Sequence, residues 1–161
     1  MRRTVVVSAV VAAAAASVTV SAAQASQATG IAGSAGARAA ARQITVVEHA
    51  QTDTTVDLPP KGDSAGDQLP FANPVFNKSD TRKVGRDNGN CVRTVVGKAY
   101  ECSWTTVLPN GALVVDGPFY DTGDSVFAIT GGTGAYSQAR GTMHLHASGT
   151  NRFVFRFNVQ N

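Results

Sequence analysis

From Gln43 onward, apolar and polar residues alternate in short runs, and Gly, Pro, Asn and Asp separate the runs. The clearest run is the last, residues 152–159 (RFVFRFNV). Phe153, Phe155, Phe157 and Val159 fall on one side, and Arg152, Val154, Arg156 and Asn158 on the other. Successive strand side chains point to opposite faces, so this segment reads as an antiparallel strand with one packed side and one wet side. The same reading predicts strands at residues 43–50, 91–96, 99–108, 112–120, 125–130 and 141–148. Residues 68–76 are extended, but Pro70 and Pro74 lack ladder donors, which predicts an edge or irregular passage. No stretch after Gln43 shows the 3.6-residue apolar period of a helix.

The punctuation is as informative as the runs. Pro109-Asn110-Gly111 is a hairpin turn, because Asn-Gly tolerates positive φ. Gly131-Gly132-Thr133-Gly134 is expected to form a tight corner between two strands. Residues 51–68 are polar and long for a connection, as a lid or rim segment would be. Many short strands with regular turns make a sandwich or a closed barrel, and closure removes exposed edges.

Upstream the composition changes. Arg2-Arg3, an apolar small-residue stretch at 4–20, and Ala23-Gln24-Ala25 have the layout of a secretory signal peptide over residues 1–25. Residues 26–42, rich in Ala, Gly and Ser, read as a flexible tether. One domain is left, residues 43–161, which is expected to be secreted and to carry no stable membrane anchor. The net charge of +3 includes Arg2, Arg3, Arg38 and Arg42, so the domain itself is close to neutral. Lys78, Arg82, Lys83 and Arg86, interleaved with Asp80 and Asp87, read as a solvated loop. No unbroken basic patch marks a nucleic-acid partner.

Cys91 and Cys102 are symmetric about Val96-Gly97, so a hairpin centred there sets them opposite each other. Directly opposed residues lie about 4.5–5.5 Å apart, within disulfide range, and export favours the bond. Glu48 shares a face with Ile44 and Val46. Turned inward, it is a general acid or base or an electrostatic partner; at a strand end, it pairs with an arginine. Spacing alone favours the arginine pair. Asn73, among apolar neighbours, is either a hydrogen-bond donor in a cavity or the cap of a turn before Pro74. Phe71, Tyr100, Trp104, Phe119, Tyr136 and the neighbouring Tyr120 are candidates either for a pocket lining or for ordinary core packing. His144 and His146 share the face opposite Met143, Leu145 and Ala147, which places them toward solvent. With no third ligand evident, no metal site is expected. No motif calls for a cofactor, and there is no phosphate-loop or hydrolase signature.

One stretch carries a resemblance. Gly117-Pro118-Phe119, Asp124-Ser125, Ala128-Ile129-Thr130-Gly131-Gly132 and Gly134, with Pro70-Phe71-Ala72-Asn73 upstream, resemble the allene oxide cyclases. Ala139-Arg140-Gly141 extends the likeness to dirigent proteins. The resemblance spans residues 46–159. It implies an eight-stranded antiparallel β-barrel of calycin-like form, assembled as a trimer or dimer, with a cavity for a small apolar or phenolic molecule. In those families the cavity directs cyclisation of an unstable epoxide or coupling of phenoxy radicals. The resemblance places the cavity glutamate on Glu48, a water-holding asparagine on Asn73 and the cavity cysteine on Cys91. Ala50 stands where the cyclases have a second asparagine. The function expected is stereochemical steering of a cyclisation or coupling, as in an isomerase or cyclase. The alternative is a non-catalytic extracellular binding or interaction barrel.

Overall fold

The computed structural model describes residues 41–160. The stretches read as signal peptide and most of the tether lie outside these residues. The described chain is a closed barrel of eight antiparallel strands in sequential order: β1 (Arg42–His49), β2 (Gln68–Asn77), β3 (Lys83–Val95), β4 (Ala99–Leu108), β5 (Gly111–Tyr120), β6 (Ser125–Gly134), β7 (Arg140–Ala147) and β8 (Arg152–Gln160). β8 closes on β1 from Arg42↔Val159 to His49↔Arg152. Every strand thus has two neighbours, although β2 meets β1 only at its last residues.

The alternation read from sequence sets which residues fill the barrel. Phe155, Phe157 and Val159 of β8 are buried, as are Met143 and Leu145 of β7, while His144, His146 and Arg156 are exposed. Phe127, Ile129, Leu113 and Val115 complete the packed end. Cys91 of β3 lies directly opposite Cys102 of β4, with the Cα atoms 4.0 Å apart, and the two are disulfide-bonded.

Two expectations need correction, and that for residues 68–76 holds in part. β2 belongs to the closed sheet, but its first half runs without β1 and it carries a register shift at Val75/Phe76. It pairs with β3 along its whole length, but with β1 only from Val75 to Asn77. Pro70 and Pro74 fall in the half that β1 has already left, so their missing N–H groups interrupt no β1–β2 pairing. The glycine run is not a corner. β6 continues through Gly131–Gly134, paired with Val114–Gly111 across a register shift at Val114/Val115. A bulge bends the strand there. A Cβ on Gly132 would meet the carbonyls of Tyr136 and Ala112, and Gly134 has a φ of +58°. The chain reverses only after Gly134, over residues 135–139. Finally, the basic loop is shorter than expected. Lys83, Arg86 and Asp87 belong to β3, and only residues 78–82 form the connection.

The disulfide closes a short loop, with the cysteines 11 residues apart. Replacing both cysteines with serine is expected to lower unfolding stability by about 3 kcal/mol, read from urea denaturation under non-reducing conditions. Gly132→Ala is expected to cost about 1–3 kcal/mol by the same measurement, because the bend has no room for a methyl group.

Candidate functional site

At one end of the barrel the interior turns from hydrocarbon to carboxyl groups. Glu48 lies near the end of β1, opposite Phe153 of β8 and Val75 of β2. It is on the inward face and only 5% exposed. The arginine partner expected from spacing is not there. None of the ion pairs among the described residues includes Glu48. The nearby Arg152 instead reaches Asp80, on which His49 also closes at 2.6 Å.

Asn73 holds Glu48 in place. Its Nδ2 donates to Glu48 Oε1 at 2.6 Å and to Asp53 Oδ1 at 2.6 Å. Its Oδ1 accepts from the backbone N–H groups of Gln51 and Thr52, at 2.8 and 3.0 Å, and from Thr52 Oγ1 at 3.2 Å. Its own backbone N–H donates to Asp87 Oδ1 at 3.2 Å. The side chain is therefore fully engaged, and both amide hydrogens are used. Asn73 is neither a turn cap nor, in this arrangement, a free donor for water. It ties the first residues of the 51–67 connection to the carboxyl group inside the barrel.

Sequence reading missed Asp87. It was placed in a solvated loop, yet it is fully buried. The signal was strand parity: Asp87 stands four residues before Cys91 on β3 and shares its inward face. Its Oδ2 has no hydrogen-bond partner among the described residues. A proton on the neighbouring Glu48 carboxyl would supply the missing donor. Burial first, and then the Asp87 charge, push the Glu48 pKa up to about 9. Burial likewise raises Asp87, to about 7. Near neutral pH, Glu48 is thus an uncharged acid.

Beyond Glu48 and Asp53 the pocket wall is apolar. Phe71, Trp104 and Phe119 line it. The Cys91–Cys102 disulfide forms part of the wall, and Leu69, Leu145, Phe153 and Phe155 complete it. The rings meet edge to face: Phe71–Trp104 at 5.9 Å and Phe119–Phe153 at 6.1 Å between centroids. The pocket volume is about 40 Å³, space for a few waters. Two proposed lining residues lie elsewhere. Tyr100 carries the Arg93 guanidinium over its ring, 3.7 Å from the centroid, and its hydroxyl accepts from Arg93 Nη2 at 2.9 Å. Tyr136 packs at the β6 bend, with Arg42 5.6 Å over its ring. Among the described residues no cluster of His, Cys, Asp and Glu has the arrangement of a metal site.

No family model matches the chain. Among solved structures it is similar to a pyocyanin demethylase, with 24% identity, a TM-score of 0.67, and coverage of 73% of this chain and 99% of that one. It is also similar to a pterocarpan synthase dirigent protein, at 16% identity and a TM-score of 0.62, covering 75% of this chain and 84% of that one. An exo-specific intermolecular Diels-Alderase matches at 11% identity and a TM-score of 0.61, covering 75% of this chain and 98% of that one. At these identities the likeness establishes the fold alone, a closed antiparallel barrel like those of these proteins.

The raised Glu48 pKa fixes the direction of a pH effect. The folded protein keeps a proton that the unfolded chain gives up between pH 4.5 and about 9, so stability falls as pH rises through that window. Glu48→Gln keeps the shape of the protonated acid and removes the titration. It is expected to be more stable than the natural chain at alkaline pH, on the order of 1–2 kcal/mol, with the difference shrinking toward pH 4.5. Chemical denaturation at a series of pH values measures it.

Proposed function

We propose that this barrel binds a small apolar or phenolic molecule and steers its cyclisation or coupling. The observation that carries the reading is Glu48: an uncharged carboxyl group, fixed by Asn73, at the wall of an otherwise aromatic pocket. Such a group donates a hydrogen bond, or a proton, to an oxygen of the ligand without a fixed charge in the cavity. Holding a reactive molecule in one pose between rings accelerates ring closure or coupling and selects one face of attack. Asn73 serves as a positioning residue. Glu48 is the one group assigned to contact the reacting molecule.

The pocket volume sets a condition on this mechanism. A drug-sized ligand needs roughly 300 Å³ or more, so the segment carrying Asp53 has to move aside when the ligand enters. It is held to Asn73 and to the β2 backbone by hydrogen bonds, among them Thr54 N–H to the Pro70 carbonyl and the Val56–Gln68 bridge, so entry of such a ligand breaks a few of these bonds but none of the barrel's strand ladders. A second reading, a non-catalytic interaction barrel, needs no such opening, and the narrowness of the pocket favours it. Action outside the cell belongs to the proposal as well. The disulfide supports it, and no helix among the described residues is long and apolar enough to cross a membrane.

The test begins with the exported protein purified from its own producer. Small molecules released from it are identified by mass spectrometry, and their reactive precursors are then offered to the natural chain and to Glu48→Gln. Steering by Glu48 predicts a loss of about 100-fold in rate, or of stereochemical preference, in a variant that still folds. Identical product ratios with and without the natural chain would leave only the non-catalytic barrel.

A further inference from the structure

Glu48, Asp53 and Asp87 converge on one asparagine, and no ion pair among the described residues includes any of them. Glu48 and Asp53 line the pocket, Asp87 stands behind Glu48, and no Lys, Arg or His is among the lining residues. Buried carboxyl groups are ordinarily paired, because an isolated charge in an apolar site is costly. Here two such groups lie behind aromatic walls, and one buried oxygen, Asp87 Oδ2, has no donor. The arrangement lacks a positive partner. A metal ion does not suit the vacancy. The Asn73 amide already donates to both Glu48 and Asp53, so N–H groups point at the oxygens that a cation would need. The remaining wall is hydrocarbon and ring, including Trp104, whose buried indole N–H has no hydrogen-bond partner among the described residues. Phe71, Trp104, Phe119 and Phe153 offer π-faces or edges, together with a disulfide. Carboxyl groups beside aromatic rings attract an organic cation through charge and through the ring quadrupole together.

We propose that the pocket selects aromatic ligands bearing positive charge on nitrogen, a protonated amine or an N-substituted heterocycle, and discriminates against carboxylates. This rests on the ligand-pocket reading above and narrows it to a substrate class. Binding the cation draws the shared proton away from the Glu48–Asp87 pair, so the site exchanges one positive charge for another. Arg93, buried on the same face of β3 as Asp87 and Cys91, is already paired with Asp63 and Asp121. His49 and Arg152 close on Asp80, and Arg156 and Arg86 are exposed. Asp53 is the remaining group on the pocket side.

Three probes on one skeleton test this: quinoline, which is neutral, N-methylquinolinium, a permanent cation, and quinoline-4-carboxylate, an anion. Each is titrated calorimetrically into the full chain in two buffers of different ionisation enthalpy. The expected order is cation, then neutral, then anion, with the cation about tenfold tighter than quinoline. Cation binding should release a proton, and its affinity should rise between about pH 7 and about pH 9 while that of quinoline stays flat. In Glu48→Gln and in Asp87→Asn, checked for folding by circular dichroism, the cation's advantage should shrink to within about threefold. Quinoline binding as tightly as the cation, or cation binding without proton release, overturns the charge assignment and leaves the pocket standing. If none of the three binds, the pocket reading falls with it.

Discussion

The site depends on a single saturated amide. Asn73 reaches β1, β3 and the connection after β1 at once, through Glu48, Asp87, Asp53 and the backbone of residues 51 and 52. No other side chain is placed to do this, because β1 and β2 are zipped together over only three residue pairs there. Where the ladder stops, the asparagine takes over. It orders the mouth of the barrel, and it holds two acidic groups near each other, where burial raises the pKa of both. An aspartate in its place would add a third buried charge, and a leucine would leave the loop and both carboxyl groups without partners.

Most of the fold was legible because strand parity is a local signal. The run ending in Val159, the hairpin about Gly97 and the inward side of β7 all follow from alternation and turn residues, which tertiary context did not override. The misreadings and the partial reading of β2 have a common cause. Pro70 and Pro74 suggested an edge or irregular passage, which holds for the first half of β2, but whether a missing N–H matters depends on whether a neighbour is present at that height, and this is set by how β1 and β2 diverge. Gly131 to Gly134 suggested a turn, but close approach of the Ala112 and Tyr136 carbonyls demands glycine as strongly as a turn does. Asp87 was hidden by company. Flanking basic residues gave the segment the composition of a loop, although its parity with Cys91 already placed it inside. Glu48 illustrates the limit of spacing. Its inward side was readable, but its partner was not, because Asn73 lies 25 positions away and is joined to it only by the closed sheet.

The two ends of the barrel divide the work. Phe127, Phe157, Met143 and Leu113 fill one end completely and carry the hydrophobic stabilisation. The other end gives up some of that stabilisation: a buried acid pair, an unpaired carboxylate oxygen and a void lined by rings all oppose folding. A barrel serving only as a scaffold has no use for such a cluster. Sites that break local rules of burial are where function is expected, and here the departures are confined to one mouth.

Closure of the sheet has a kinetic meaning as well. β1 has its long pairing with β8, not with β2, so the strand carrying Glu48 is completed by the last of the eight described strands. Arg42 and Val159 are partners at opposite ends of the described chain, a contact of very high sequence separation. β2 to β8 can zip hairpin by hairpin, each step between neighbours in sequence. The acid site is complete only once β8 and β1 are paired. Until that moment Glu48 is solvated and ionised like any surface carboxylate, and its proton is taken up as the barrel closes.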